Sequence, residues 1–169
     1  MKPTIIKRKR RTLDLRLATP QDADRIAGLA SAFRNHLERA TPTDAQFRTS
    51  VAALLESGDA EFYLAEADGQ PMAYVLQRFR YSMWVAGLDA TIEDLFVTPE
   101  HRRKGIGKAL IQFALDRARG RECLSVGLDT NENNAASNRI YTGLGFNAFS
   151  RRWQGRQLFL RVNLPVSKE

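Results

Sequence analysis

Leu13, Leu15 and Leu17 alternate with Asp14 and Arg16, the two-residue period of a strand with one buried face. Thr19-Pro20-Gln21-Asp22 then reads as a helix start: Thr19 can cap, Pro20 suits the first helical position, and Asp22 suits the positive helix end. The helix is predicted to run to about His36. A second start lies in Thr41-Pro42-Thr43-Asp44, opening a helix that buries Phe47, Val51, Leu54 and Leu55 and stops before Gly58. Glu61–Glu66 and Met72–Phe79 are apolar runs flanking Asp68-Gly69, a strong hairpin signal. Thr91–Val97 is a further strand, stopped by Pro99. Gly105–Arg119 carries Ile106, Ala109, Leu110, Phe113, Ala114 and Ala118 at helical spacing, with Gly120 predicted to end it. Cys123–Leu128 is a short strand, and Asn134–Leu144 a short helix closed by Gly145. Phe146–Arg152 and Gln157–Leu164 are expected to pair as a last hairpin around Gln154-Gly155. This alternation of strands and helices predicts an α/β (α+β) fold with helices covering a sheet.

The chain has 169 residues, the size of one ordinary domain. With 43% apolar and 27% charged residues it is neither disordered nor collagen-like. No apolar run approaches the ~20 residues of a membrane span. Cys123 is the only cysteine, so no intramolecular disulfide can form. With His36 and His101 far apart, no metal-ligand spacing exists. Met1 to Arg11 lacks the apolar stretch of a secretory signal, and a cytoplasmic location is expected.

Charge changes the picture at one end. Lys2, Lys7, Arg8, Lys9, Arg10 and Arg11 supply almost all of the net +7, with no acid among residues 1–12. The expected organisation is therefore a basic arm over 1–12 and one domain over 13–169. The arm reads as a solvated tail or as a contact for nucleic acid or an acidic surface.

The chemistry concentrates in Glu93-Asp94-Leu95-Phe96-Val97 and the turn behind it. A buried strand ends at Val97, and a helix opens at Gly105-Ile106-Gly107 among Arg102, Arg103, Lys104 and Lys108. The first N–H groups of a helix lack intrahelical partners and carry partial positive charge. Glycine lets an anion approach them. Four cations at a helix start oppose the macrodipole, an arrangement that favours an arriving phosphate or pyrophosphate. The alternative is a tight turn whose glycines serve packing. The spacing is neither GxxxxGK[ST] nor GxGxxG.

Arg102-Arg103-Lys104-Gly105-Ile106-Gly107 resembles the R/Q-x-x-G-x-G/A signature of the GNAT superfamily of N-acetyltransferases. Asn134-Ala135-Ala136-Ser137, continuing through Tyr141 to Gly145-Phe146, resembles that family's N-x-x-A/S-x-x-x-Y-x-x-x-G-F segment. The resemblance implies a mixed, mostly antiparallel central sheet with helices on both faces, and transfer of an acetyl group from acetyl-CoA to a primary amine by direct attack in a ternary complex. It implies that the backbones of Leu95, Phe96 and Val97 pair with the pantetheine arm, and that the turn from Arg102 through Arg103, Lys104, Gly105, Ile106 and Gly107 to Lys108 holds the pyrophosphate. Asn134 and Ser137 would meet the cofactor arm, Tyr141 would be the general acid, and the Val97 N–H would face the oxyanion. Asn134 can equally be a helix cap and Tyr141 a core aromatic.

Glu93 is the candidate base, because an alkylamine with a pKa of ~10 must lose a proton before attack. Strand alternation puts Glu93 and Asp94 on opposite faces, and the resemblance favours Glu93. Glu93-Asp94-Leu95-Phe96-Val97 and Gly155-Arg156-Gln157-Leu158-Phe159 look like the diamine and polyamine acetyltransferase branch. The stretch Phe33–Thr43 is not acidic, which leaves amino-acid-like acceptors open; Tyr81-Ser82-Met83-Trp84 is a candidate lining of the acceptor cleft. A small-molecule amine is the expected partner, with a protein or peptide amine as the alternative. A nucleic-acid-binding module with a vestigial CoA site is a third class. Related enzymes often form homodimers. No membrane partner and no metal are expected.

Overall fold

The computed structural model describes residues 13–164, so the basic arm of residues 1–12 lies outside the described residues. These residues fall into two compact units that meet in sequence at Leu128 and Asp129.

In the first unit, β1 (Asp14–Leu17) leads into a 3-10 turn at Pro20–Asp22 and then α1 (Ala23–His36). The Thr19 N–H and hydroxyl both donate to Asp22 Oδ2, at 2.8 and 3.1 Å. α2 (Asp44–Glu56) starts at Thr43, whose hydroxyl accepts from the Gln46 N–H while its own N–H donates to Gln46 Oε1, a reciprocal cap. β2 (Ala60–Ala67) and β3 (Gln70–Ser82) turn at Asp68 and Gly69, with φ of 52° and 74°, the geometry that Asp-Gly favours. β4 (Gly87–Val97), α3 (Ile106–Gly120) and β5 (Ser125–Leu128) complete the unit. The strands lie side by side in the order β1-β2-β3-β4-β5, antiparallel as far as β4 and parallel between β4 and β5.

Helices cover both faces. α1 and α2 bury Ile26, Leu29 and Val51 against Phe62, Leu64, Tyr74, Leu76 and Phe96. α3 covers the other face with Ile106, Leu110, Ile111, Ala114 and Ala118, and its Phe113 ring meets Tyr63 edge-on at 5.3 Å. Each leucine, isoleucine or valine among them contributes about 1.5–3 kcal/mol when fully buried. Gly120 is the last helical residue; the left-handed residue that turns the chain is Glu122, with φ 59°.

One departure from simple alternation matters for the site. Leu76 faces Asp94 but Gln77 faces Ile92, so Glu93 is the extra residue of a bulge. Gln77 and Ile92 therefore share the α3 face, while Asp94 and Phe96 share the opposite face with Leu76 and Tyr74. The expectation that alternation alone separates Glu93 from Asp94 is corrected: the bulge shifts every face assignment after Ile92.

In the second unit, α4 (Ala135–Gly143) is followed by β6 (Phe149–Ser150) and β7 (Gly155–Arg156), which pair antiparallel. The expected last hairpin is thus reduced to two residues a side. Residues 157–164 form no strand, and Leu158, Leu160, Val162 and Leu164 are exposed. Their alternation has the period of a strand, but no strand among the described residues pairs with it.

Candidate active site

The ladder between β4 and β5 runs from Asp89↔Ser125 to Ile92↔Leu128 and stops, while β4 continues to Val97. Leu95, Phe96 and Val97 pair with Val75, Tyr74 and Ala73 of β3, so their other edge faces no strand among the described residues. Extended backbone with one unclaimed side can accept a ligand bearing amides. The Phe96 side chain stacks on Phe33 at 5.0 Å, whereas Leu95 and Val97 are half-buried against the other face.

Behind Val97 the chain makes a 3-10 turn at Pro99–His101, tied by the His101 N–H to the Thr98 carbonyl at 2.9 Å. Arg103 and Gly105 then adopt positive φ, 61° and 79°, and α3 begins. Gly105 is there for its backbone: a Cβ would meet nothing within 4 Å, so the space over it is open. The first intrahelical bond closes from the Ala109 N–H to the Gly105 carbonyl at 3.0 Å. The N–H groups before it are the unclaimed donors of a helix start. Ile106 and Gly107 are buried, which anchors this end of the helix against the sheet. α1 and α2 each begin with an aspartate in the first turn; α3 has no acid there and carries Lys108 instead. An anion supplied from outside would complete that terminus.

The four cations divide into two pairs. Arg102 folds back: its Nε donates to the Val97 carbonyl at 2.9 Å, its Nη1 lies 3.3 Å from His36 Nε2, and its guanidinium is over the Phe96 ring. Lys104 donates to the Glu100 carbonyl at 2.8 Å. Arg103 and Lys108 are exposed and make no ion pair among the described residues, so they are the cations available to a ligand. The fold-back of Arg102 left no mark in the sequence, since it depends on α1 arriving with His36.

Glu93 is exposed at the bulge. Asp94 is half-buried, and the Tyr74 hydroxyl donates to its Oδ2 at 3.2 Å. Burial pushes the Asp94 carboxyl above its ordinary range, and the Tyr74 bond pulls it partway back. Burial likewise raises the Tyr74 phenol, reinforced by the Asp94 charge. Tyr81, Met83 and Trp84 are exposed at the other end of β4 from Val97. That strand of 11 residues spans about 33 Å at ~3.3 Å per residue. The loop therefore does not line this end of the sheet.

In the second unit, Asn134 stands at the N-cap of α4, but its side chain makes no capping bond and is exposed, so it is not occupied as a cap. Ser137 is half-buried in the first turn. Asn138 fixes the preceding loop: its Nδ2 donates to the Asn131 carbonyl at 2.9 Å, and its Oδ1 accepts from Thr130 at 3.0 Å. Tyr141 is buried at 9% exposure. The Gly145 N–H reaches the Thr142 carbonyl and the Phe146 N–H reaches the Tyr141 carbonyl, while the Tyr141 and Phe146 rings meet at 6.1 Å. With Gly145 at φ 94°, this is a Schellman motif with its hydrophobic contact. The spacing Tyr141-x-x-x-Gly145-Phe146 thus has a mechanical meaning: it closes α4 and seats the tyrosine.

The sequence model of the acetyltransferase (GNAT) family matches residues 24–146. The chain belongs to the GNAT acetyltransferase family. The streptothricin acetyltransferase of Streptomyces lavendulae is 30% identical over 158 residues, which cover 80% of this chain and 82% of that protein. The ribosomal protein bS18-alanine N-acetyltransferase of Escherichia coli K12 is 31% identical over 85 residues, 47% of this chain and 57% of the relative. Among solved structures, an aminoglycoside N-acetyltransferase in complex with CoA superposes with a TM-score of 0.75 at 20% identity, covering 95% of this chain and all of that one.

This acetyltransferase uses acetyl-CoA and acts on amines. The unpaired β4 edge, the donors at the start of α3 and the open space at Gly105 fit such a donor: amides for the strand edge and a pyrophosphate for the helix terminus. Among the described residues, no cluster of three or more His, Cys, Asp or Glu could hold a metal ion, and no helix is long and apolar enough to cross a membrane.

Proposed function

We propose that this acetyltransferase modifies the primary amine of a small molecule, with residues 13–169 acting as one catalytic domain. The observation that carries the reading is the continuity of β4: its unpaired edge leads directly into the basic turn and the N-terminus of α3. In the first unit, the Leu95, Phe96 and Val97 backbones pair with the pantetheine amides. The N–H groups from Arg103 to Lys108, with the side chains of Arg103 and Lys108, hold the pyrophosphate. Arg102 braces the Val97 carbonyl, and Lys104 the turn, rather than meeting the phosphates.

Acetyl-CoA supplies a thioester carbonyl open to attack. Glu93 takes the proton that the substrate ammonium must lose, directly or through water. The nitrogen forms its bond to the acetyl carbon as the carbon–sulfur bond breaks, and the Val97 N–H donates to the oxygen that gains charge. The family's motif assigns to Tyr141 the proton that the departing sulfur takes up, and to Asn134 and Ser137 contacts with the cofactor arm. A small-molecule acceptor is supported by the streptothricin enzyme, which is similar over most of both chains, whereas the bS18-alanine enzyme is similar over 47% of this one.

The test is release of free CoA thiol from acetyl-CoA in the presence of small amines, amino acids and peptides. Release with small amines is expected. Release with peptides alone would overturn the small-molecule reading, and no release with any amine would overturn the transfer itself.

A further inference from the structure

The last peptide of β4 is held from both sides. Its carbonyl, that of Val97, accepts from Arg102 Nε at 2.9 Å, and its N–H, that of Thr98, donates to the Met72 carbonyl at 3.0 Å. A carbonyl has two lone pairs, so the Arg102 bond leaves one for a ligand amide. Arg102 is in turn held by α1. Its guanidinium lies 5.8 Å from the centre of the Phe96 ring, and its Nη1 lies 3.3 Å from Nε2 of His36, the last residue of that helix. His36 is exposed, and neither it nor Arg102 makes an ion pair among the described residues.

A guanidinium only donates, and it stays charged. Nε2 is therefore the accepting nitrogen, which makes the ring neutral with its proton on Nδ1. A protonated ring has no acceptor and would set two positive charges side by side. The end of α1 acts in the opposite sense, since a helix C-terminus favours a cation. The other charged groups of the elements around this contact are engaged with partners of their own: Arg34 with Asp44 and the Pro42 carbonyl, Asp94 with Tyr74, Lys104 with the Glu100 carbonyl, and His101 with Thr98 and Glu100. Beyond the helix, Glu38 and Arg39 are exposed and of opposite sign. The contact thus exists above the range in which histidine changes charge, about pH 5 to 8, and is lost as pH falls through it.

We propose that neutral His36 is the positioning residue that keeps Arg102 on the Val97 carbonyl, so that the cofactor edge of β4 loosens when the imidazole gains a proton. The inference rests on the reading of that edge as the seat of acetyl-CoA, and it brings a residue of α1 into that seat's support. Its sign is opposite to that of simple attraction. A proton on His36 adds positive charge near an anionic cofactor, yet cofactor binding weakens.

The experiment is calorimetric titration of the full chain with CoA at about pH 8 and about pH 5.5, comparing the parent with His36→Gln and His36→Lys at each pH. Comparison at one pH cancels the titration of CoA itself. Glutamine offers an accepting oxygen at either pH, and a lysine ammonium offers none. The parent should match the Gln variant at the higher pH and bind CoA about threefold more weakly than it at the lower. The Lys variant should be about threefold weaker than the Gln variant at the higher pH. A parent that binds CoA as tightly as the Gln variant at the lower pH, or more tightly, would overturn the proposal. So would a Lys variant that matches the Gln variant at the higher pH. Nitrogen chemical shifts of the parent without CoA should show the His36 proton on Nδ1 at the higher pH, and a proton on Nε2 instead would remove the contact on which the proposal stands. The amide shifts of Leu95 and Val97 on adding CoA separate the two readings. If they move while the His36 variants bind like the parent, the role of His36 falls and the cofactor seat remains. If they do not move, the seat falls, and the inference with it.

Discussion

The two units are built on opposite principles. Residues 13–128 hold a sheet covered on both faces, with Tyr63, Leu64, Val75, Leu110 and Ile111 essentially inaccessible to water. Among the described residues of the second unit, Tyr141 is the only hydrophobic side chain that is buried, and Trp153, Leu158 and Leu160 are more than three-quarters exposed. The first unit is ordered by burial of apolar area, which is cooperative and non-local. The second is ordered by short-range bonds: a Schellman closure, an asparagine tied to its own loop, and a two-residue ladder. The glycine turn at the start of α3 and the tyrosine of the locally capped α4 therefore differ in what it takes to displace them.

The largest difference should appear in stability. Leu110→Ala, in the α3 core, should cost about 3–5 kcal/mol, whereas Leu160→Ala should stay within about 0.5 kcal/mol. Denaturant unfolding of the two variants checks this, and similar losses would erase the contrast. Next is Gly105→Glu. A carboxylate suits the start of a helix but repels a pyrophosphate, so CoA affinity should fall roughly hundredfold while stability drops only by about 1 kcal/mol of backbone strain at φ 79°. Calorimetry alongside thermal melting separates the two effects.

The third effect is acid sensitivity of the first unit. The Arg16 guanidinium holds the Asp22 carboxyl well below the usual carboxylate range, with further help from Thr19 and against the opposing effect of burial. A depressed carboxyl contributes its stability in full above its unfolded pKa of about 3.9 and loses it as pH falls toward the folded value. Asp22→Asn should therefore cost about 2 kcal/mol at pH 7, discounted because Arg16 is 30% exposed, and should flatten the loss of stability below about pH 4. Urea titrations across pH 3–7 read both. Smallest is Gly145→Ala, at about 1 kcal/mol: its φ of 94° disfavours a side chain, although nothing stands within 4 Å. The effect should show as faster amide exchange around Tyr141, with the exchange of Leu110 unchanged.

Much of this arrangement could be read from local chemistry. Thr43 and Gln46 announce α2, Asp68-Gly69 announces a hairpin, and Gly145 announces the end of α4, because each signal acts within a few residues. The tight turn at Gly105 was legible for the same reason. The bulge at Glu93 was not, since it exists only in register with β3 and no glycine or proline marks it. Nor was the partnership of Arg102 with His36, whose residues stand 66 apart in the chain. The apolar alternation of residues 157–164 was legible as a strand, yet pairing requires a neighbour that periodicity cannot supply.

A sheet margin that pairs with no strand among the described residues can accept a foreign one. Natural sheets discourage accretion of foreign strands by placing charge where a new strand would have to begin. Arg102, clasping the last carbonyl of β4, puts a guanidinium at that point. A foreign strand adding along the unpaired edge of β4 would meet that charge at its first step.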